Sequence, residues 1–79
     1  MTRDEFVEHV ENGADIMFDL CGKHYTVLGW NENGPLIAEQ VTEDNEAVFP
    51  DGRALLENYE IDGRRLTDVW DDVQITYCT

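Results

Sequence analysis

The chain has 79 residues, of which 42% are apolar, 29% charged and eight aromatic, enough for one small core and too regularly apolar for a disordered segment. Eighteen Asp and Glu stand against five Lys and Arg, giving a formal net charge of −13. A field of that sign repels nucleic acid and anionic membranes, so direct binding to DNA, RNA or phospholipid is not expected, and basic proteins become the expected partners.

Thr2-Arg3-Asp4-Glu5 is a capping-box pattern, a hydroxyl followed three places on by a carboxylate that reaches back. It predicts a helix from about Arg3 to Asn12, with Phe6, Val7 and Val10 as a narrow apolar stripe and Gly13 as the left-handed stop. The first ten residues carry Asp4, Glu5, Glu8 and His9 without an apolar run. No signal peptide is therefore expected, nothing in the chain approaches the ~20 apolar residues of a membrane span, and the cytoplasm is the expected compartment. There Cys21 and Cys78 are expected to be reduced.

From Asp15 the period changes to two. Ile16, Phe18 and Leu20 alternate with Met17 and Asp19 up to a turn at Cys21-Gly22-Lys23, and Tyr25 and Val27 then alternate with Thr26, Leu28 and Trp30. Asn33-Gly34 signals another turn, and Pro35 to Val41 predicts a third strand, completing an antiparallel meander. Thr42 to Glu46 reads as an exposed acidic loop, after which Val48 and Phe49 return to the core.

Asp51-Gly52-Arg53 recurs eleven places later as Asp62-Gly63-Arg64, with Leu55 echoed by Leu66 and Tyr59 by Trp70. The echo predicts two short helices, each launched from an Asp-Gly turn. In the second, Leu66, Val69, Trp70 and Val73 fall at i, i+3, i+4 and i+7. Gln74 to Cys78 alternates again and predicts a last strand that joins the sheet. The expected fold is a single α+β domain over residues 1–79: an N-terminal helix, a three-stranded antiparallel meander, two short helices and a C-terminal strand. The expected core is Phe6, Val10, Ile16, Phe18, Leu20, Tyr25, Val27, Leu36, Phe49, Leu55, Leu56, Leu66, Val69, Trp70 and Ile75.

Candidate chemistry is sparse. There is no serine for a serine nucleophile and no Gly-rich phosphate loop. Cys21 and His24 have Cys-x-x-His spacing, which Cys78 or His9 would have to complete for zinc, and Cys21/His24 and Cys78/His9 are the candidate thiol dyads. Glu43, Asp44, Glu46 and Asp51 are oxygen donors without the EF-hand order. Neither an enzyme nor a cofactor is expected. What stands out is the acidic surface: from Lys23 to Arg53 there is no intervening cation, while Glu32, Glu39, Glu43, Asp44, Glu46 and Asp51 supply six carboxylates. With Asp68, Asp71 and Asp72 of the second echo, Glu43, Asp44, Glu46 and Asp51 form the expected partner-binding set. Carboxylates at helical i+3/i+4 or strand i+2 spacing stand about 5–7 Å apart, comparable with phosphates along a nucleic-acid strand.

Two motifs carry a resemblance. Phe18 to Tyr25 reads F-x-x-x-G-K-x-Y, and Ile61 to Asp71 reads I-D-G-R-x-L-x-D-x-W-D. Together with the short acidic N-terminal helix they resemble a loose group of small uncharacterised proteins from Gram-positive bacteria and their phages or mobile elements. These motifs are structural and imply no activity. In size, charge and make-up the chain is also similar in type to phage-encoded inhibitors such as anti-CRISPR proteins and the uracil-DNA glycosylase inhibitor, by analogy and without a shared motif. The leading expectation is a non-enzymatic acidic module that binds a basic protein, in its narrower form a nucleic-acid mimic that inhibits a nuclease or other DNA-handling enzyme. The alternatives are a structural domain that forms a homodimer or joins a larger assembly through an apolar sheet face bearing Met17, Leu28, Trp30 and Ile37, and a small metal- or thiol-dependent protein.

Overall fold

The computed structural model describes residues 1–41 and 45–79, so Glu43 and Asp44 of the expected partner-binding set lie outside the described residues. The first helix, α1 (Arg3–Glu11), starts where its capping box predicts. Thr2 Oγ1 accepts from the Glu5 amide at 3.1 Å, and a Glu5 carboxylate oxygen accepts from the Thr2 amide at 2.8 Å. The bond from the Thr2 amide, with the Thr2 hydroxyl adding to it, holds the Glu5 carboxyl below the usual carboxylate range. Gly13, at φ 81°, releases the chain into the sheet.

Strands β1 (Asp15–Leu20) and β2 (Lys23–Leu28) form the expected hairpin. Its two-residue turn places Cys21 at φ 51° and Gly22 at φ 79°, the pair of positive values whose twist matches that of the flanking strands. β3 (Leu36–Glu39) extends the meander, and β4 (Ala47–Val48) adds a short fourth strand where only a return to the core was expected. After α2 (Gly52–Asn58) come a small hairpin of β5 (Glu60–Ile61) and β6 (Arg64–Arg65), a 3-10 helix (Leu66–Asp72) and β7 (Gln74–Cys78). The main sheet has the order β4-β3-β2-β1-β7 with antiparallel pairing throughout. The fold is α+β, and β7 joins the sheet beside β1 as expected.

The echo resolves into two different devices. Asp51 caps α2, its Oδ1 accepting from the Ala54 amide at 2.8 Å. Asp62 and Gly63, at φ 53° and 79°, instead form the tight turn between β5 and β6, and the following helix begins only at Leu66 and is of the 3-10 type. The expectation that both Asp-Gly pairs launch helices therefore fails at the second. Asp-Gly suits an N-cap and a two-residue hairpin equally well, and the Glu60–Arg65 and Ile61–Arg64 pairings select the hairpin.

All of the helical segments cover one face of the sheet. Phe6 and Val10 of α1, Leu55 and Leu56 of α2, and Leu66 and Trp70 of the 3-10 helix pack with Ile16, Phe18, Leu20, Tyr25, Val27 and Ile37 in one core. Phe6 meets Trp70 with ring centroids 4.9 Å apart, and Phe18 stacks on Tyr25 at 5.1 Å. Ala14, Tyr59 and Ile61 join this core without having been expected in it, while Phe49, Val69 and Ile75 pack against it half-buried.

One strand is inverted relative to expectation. Ile37, assigned to the outer face, is fully buried, whereas Leu36, assigned to the core, is half-buried on the opposite face. The register pairs Ile37 with the inward-facing Val27 and Leu36 with the outward-facing Leu28. Because side chains alternate, a one-residue difference exchanges the two faces along the whole strand. It also carries Glu39 inward, where it is 8% exposed.

Candidate functional site

The sheet face turned away from the helices is where the unexplained side chains gather. Two cross-strand rows line it. Tyr77, Met17, Thr26 and Ala38 are successive partners across β7, β1, β2 and β3, and Asp15, Leu28, Leu36 and Val48 are successive partners across β1 to β4. Met17, Leu28, Val48 and Tyr77 are all exposed large hydrophobics. Glu46, with Thr26, Leu28, Leu36, Ala38 and Gln40, borders a shallow concavity of about 270 Å³ on this face. Among the described residues no helix packs over it. Two residues beyond β2, Trp30 is 85% exposed.

Carboxylates occur on both sides of the sheet, the helices carrying Asp4, Glu5, Glu8, Glu11, Glu57, Asp68, Asp71 and Asp72. Asp15 and Asp19 alternate outward with Met17 on β1, and Glu46 borders the same face. The cations are elsewhere. Arg3 on α1 donates to the Thr67 carbonyl from Nη2 at 2.8 Å, Arg53 on α2 meets Asp4 at 3.3 Å, and Arg65 on β6 meets Asp68 at 3.0 Å. Arg64 lies on the same small hairpin, and Lys23 alternates on the side of Tyr25 and Val27. All five Lys and Arg of the chain thus belong to the helix-bearing side or its edge.

The expected partner-binding residues do not form one row. Glu46 lies on the open face. Asp51 is committed to capping α2, and Asp68 accepts two hydrogen bonds from Arg65, which push the arginine further up. Asp71 and Asp72 are exposed on the 3-10 helix, and Asp72 approaches the end of the open face, lining a second concavity of about 270 Å³ with Asp19, Cys21 and Gln74. Glu39, counted with the surface acids in the sequence, is withdrawn into the interior beside Tyr25 and Tyr59, and Asn45 Nδ2 approaches it at 3.5 Å.

The Cys-x-x-His pair is drawn into other roles. Cys21 occupies the first central position of the hairpin turn, and His24 faces Asp19 across the hairpin, its Nδ1 in contact with Asp19 Oδ1. Cys21 and Cys78 are free thiols. Among the described residues no three His, Cys, Asp or Glu side chains converge into a metal-binding group.

Behind the concavity, Tyr59 donates its hydroxyl to the Asn45 carbonyl at 2.9 Å, tying α2 to the segment that leads into Glu46. Burial, with Tyr25 and Glu39 adding to it, pushes the Tyr59 phenol up to about 12. A phenol raised in the folded state adds stability that is complete below the ordinary tyrosine value near 10 and is lost as pH rises toward 12, because the unfolded chain ionises first. Tyr59→Phe is expected to cost about 1 kcal/mol at pH 7 through the lost hydrogen bond, and to flatten the fall in stability between pH 10 and 12. Urea unfolding across that range measures both, and an unchanged alkaline slope would assign the fall to another group.

Part of this site was legible in the chain: the alternation of β1 and β2 already put Met17 and Leu28 outward. Leu36 was missed because Leu36-Ile37 is an apolar doublet that fits either register. Tyr77 was missed because a bulge, in which Met17 pairs with Tyr77 but Phe18 with Ile75, shifts the alternation of β7. Comparison of the chain with protein-family models, with curated proteins and with solved structures finds no match. Among the described residues no helix is long and apolar enough to cross a membrane.

Proposed function

We propose that the protein is a non-enzymatic acidic binding module that acts in the cytoplasm and engages a basic protein. One observation carries this: the carboxylates Asp15, Asp19 and Glu46 share a face with exposed apolar side chains, while every Lys and Arg belongs to the other side of the sheet or its edge. With no Lys or Arg among them, these carboxylates attract a cationic surface, and the apolar side chains beside them offer it contact on arrival. In its narrower form, the partner is a nuclease or other nucleic-acid-binding protein, whose basic groove the module fills as a nucleic-acid mimic and so inhibits. The charge of −13 and the likeness in type to phage-encoded inhibitors support that form, as does the motif resemblance to proteins of Gram-positive bacteria and their phages.

The test is affinity capture from a nuclease-treated Gram-positive lysate at ~50 and ~500 mM salt, where screening lengths are about 14 and 4 Å. A basic nucleic-acid-binding protein held at low salt and released by high salt or by competing DNA is the expected result. With that partner in hand, the combined change Glu43→Gln, Asp44→Asn and Glu46→Gln is expected to weaken the complex about tenfold or more. Its thermal unfolding should stay close to that of the parent. A triple variant that binds as tightly as the parent would remove these residues from the site.

The exposed apolar rows favour a second reading, a homodimer or subunit that associates through the same sheet face. Such an interface is indifferent to salt or strengthened by it, so a salt-insensitive dimer in sedimentation would move the assignment there.

A further inference from the structure

The open face has the shape of an unfinished layer. A sheet with helices on one side only leaves its second face to be covered or solvated. Here the centre of that face is apolar, with Met17, Leu28, Leu36 and Val48, and its borders carry Asp15, Glu46 and Asp19, the last in contact with His24 on the same face. Adjacent strands lie about 4.8 Å apart, so the four strands β1 to β4 that carry these apolar side chains span roughly 14 Å between their outer axes, comparable with the roughly 10–12 Å width of one helix. The molecule extends 27 × 26 × 21 Å, which about 18 helical residues would cross.

We infer that this face is the docking surface for a cationic amphipathic helix of the partner. Its apolar stripe lies on Met17, Leu28, Leu36 and Val48, and its Lys and Arg flank Asp15, Asp19 and Glu46, completing a helix–sheet–helix sandwich. The inference rests on the basic-partner reading above and narrows it to one element of that partner. Charge complementarity selects the occupant. A second copy would set Asp15, Asp19 and Glu46 against their own equivalents with a net −13 on each side, and like-charge contacts oppose association. The edges are poorer templates for an added strand, since β4 has two residues and β7 is bulged.

The experiment uses three synthetic peptides of about 18 residues: a Leu/Lys peptide with leucines at i, i+3, i+4 and i+7, a permuted peptide of the same composition without a stripe, and oligolysine. Each is titrated calorimetrically at ~100 mM salt into the full chain, into the charge-neutral variant Leu28→Gln/Leu36→Gln, and into Glu8→Gln/Glu57→Gln as a control on the helix-bearing side, where the preference for the striped peptide is expected to persist. Circular dichroism verifies that each variant folds, and Leu36→Thr replaces the double change if it does not. The striped peptide is expected to bind about tenfold more tightly than the permuted one and to lose about that factor on Leu28→Gln/Leu36→Gln, with oligolysine unaffected by that change. If striped and permuted peptides bind alike, or the Leu variant is silent, the docking surface is wrong while the basic-partner reading stands. If no cationic peptide binds, both fall. A dimer of the free protein that the Leu variant dissociates would make a second copy the occupant and overturn the inference.

Discussion

Gly34→Ala is expected to destabilise the protein by roughly 2–6 kcal/mol, the sum of a forced backbone conformation and an overpacked contact. Gly34 sits at φ 110°, a region that residues with a side chain rarely enter, and a Cβ placed there would lie 2.0 Å from the Phe49 carbonyl oxygen. The obstacle is backbone, so no side-chain rotation relieves it. The chain would have to part Phe49 from Pro35, whose carbonyl accepts from the Phe49 amide at 3.0 Å, and with it the start of the β3–β4 pairing. Urea unfolding of the parent and variant measures the loss. A change below about 1 kcal/mol would show that the turn can be rebuilt cheaply. Because Val48 and Ala47 are the paired residues of β4, hydrogen exchange in β4 is also expected to rise, with β1 and β2 less affected.

Phe18→Ala is expected to cost about 3–5 kcal/mol, the range for emptying a large buried site. Phe18 is fully buried at the centre of β1, stacks on Tyr25, and pairs with Tyr25 on one side and Ile75 on the other. A domain of 79 residues has about 4–12 kcal/mol of total stability, so this one change removes a large share of it. Loss of the folded near-ultraviolet circular dichroism signal at 37 °C, or an unfolding midpoint lowered by at least about 10 °C, is the expected result. Retention of the parent midpoint would mean that the core closes around the gap. The contrast with the open face is informative. Leu28→Gln/Leu36→Gln removes apolar side chains from the same sheet, yet both residues are part-exposed on the uncovered side, so a much smaller loss of stability is expected from it than from Phe18→Ala.

The two faces of this sheet differ in how much of them the chain announces. The capping box at Thr2 and Glu5, the Cys21-Gly22 turn and the alternation of β1 and β2 are local signals, each acting over a few residues, and each appears in the fold where it was expected. So does the charge of −13, a property of composition alone. These determined the class of fold, most of the core and the sign of the field around the molecule.

What the tertiary structure decided were choices that are degenerate locally. Leu36-Ile37 allows either residue inward, and only pairing with Val27 and the space beneath it put Ile37 in the core, drawing Glu39 out of the acidic surface. Two Asp-Gly-Arg segments with the same text became a helix cap and a hairpin turn because different partners met them, Glu60 and Ile61 closing the second. The same holds for the candidate site. Each carboxylate is visible in the chain, but whether it caps a helix like Asp51, pairs with a neighbour like Asp68, or borders an open apolar face like Asp15 and Glu46 depends on contacts between segments distant in sequence. Local propensities act over a turn or two of chain, whereas the energy that separates those alternatives comes from packing and pairing across the whole domain.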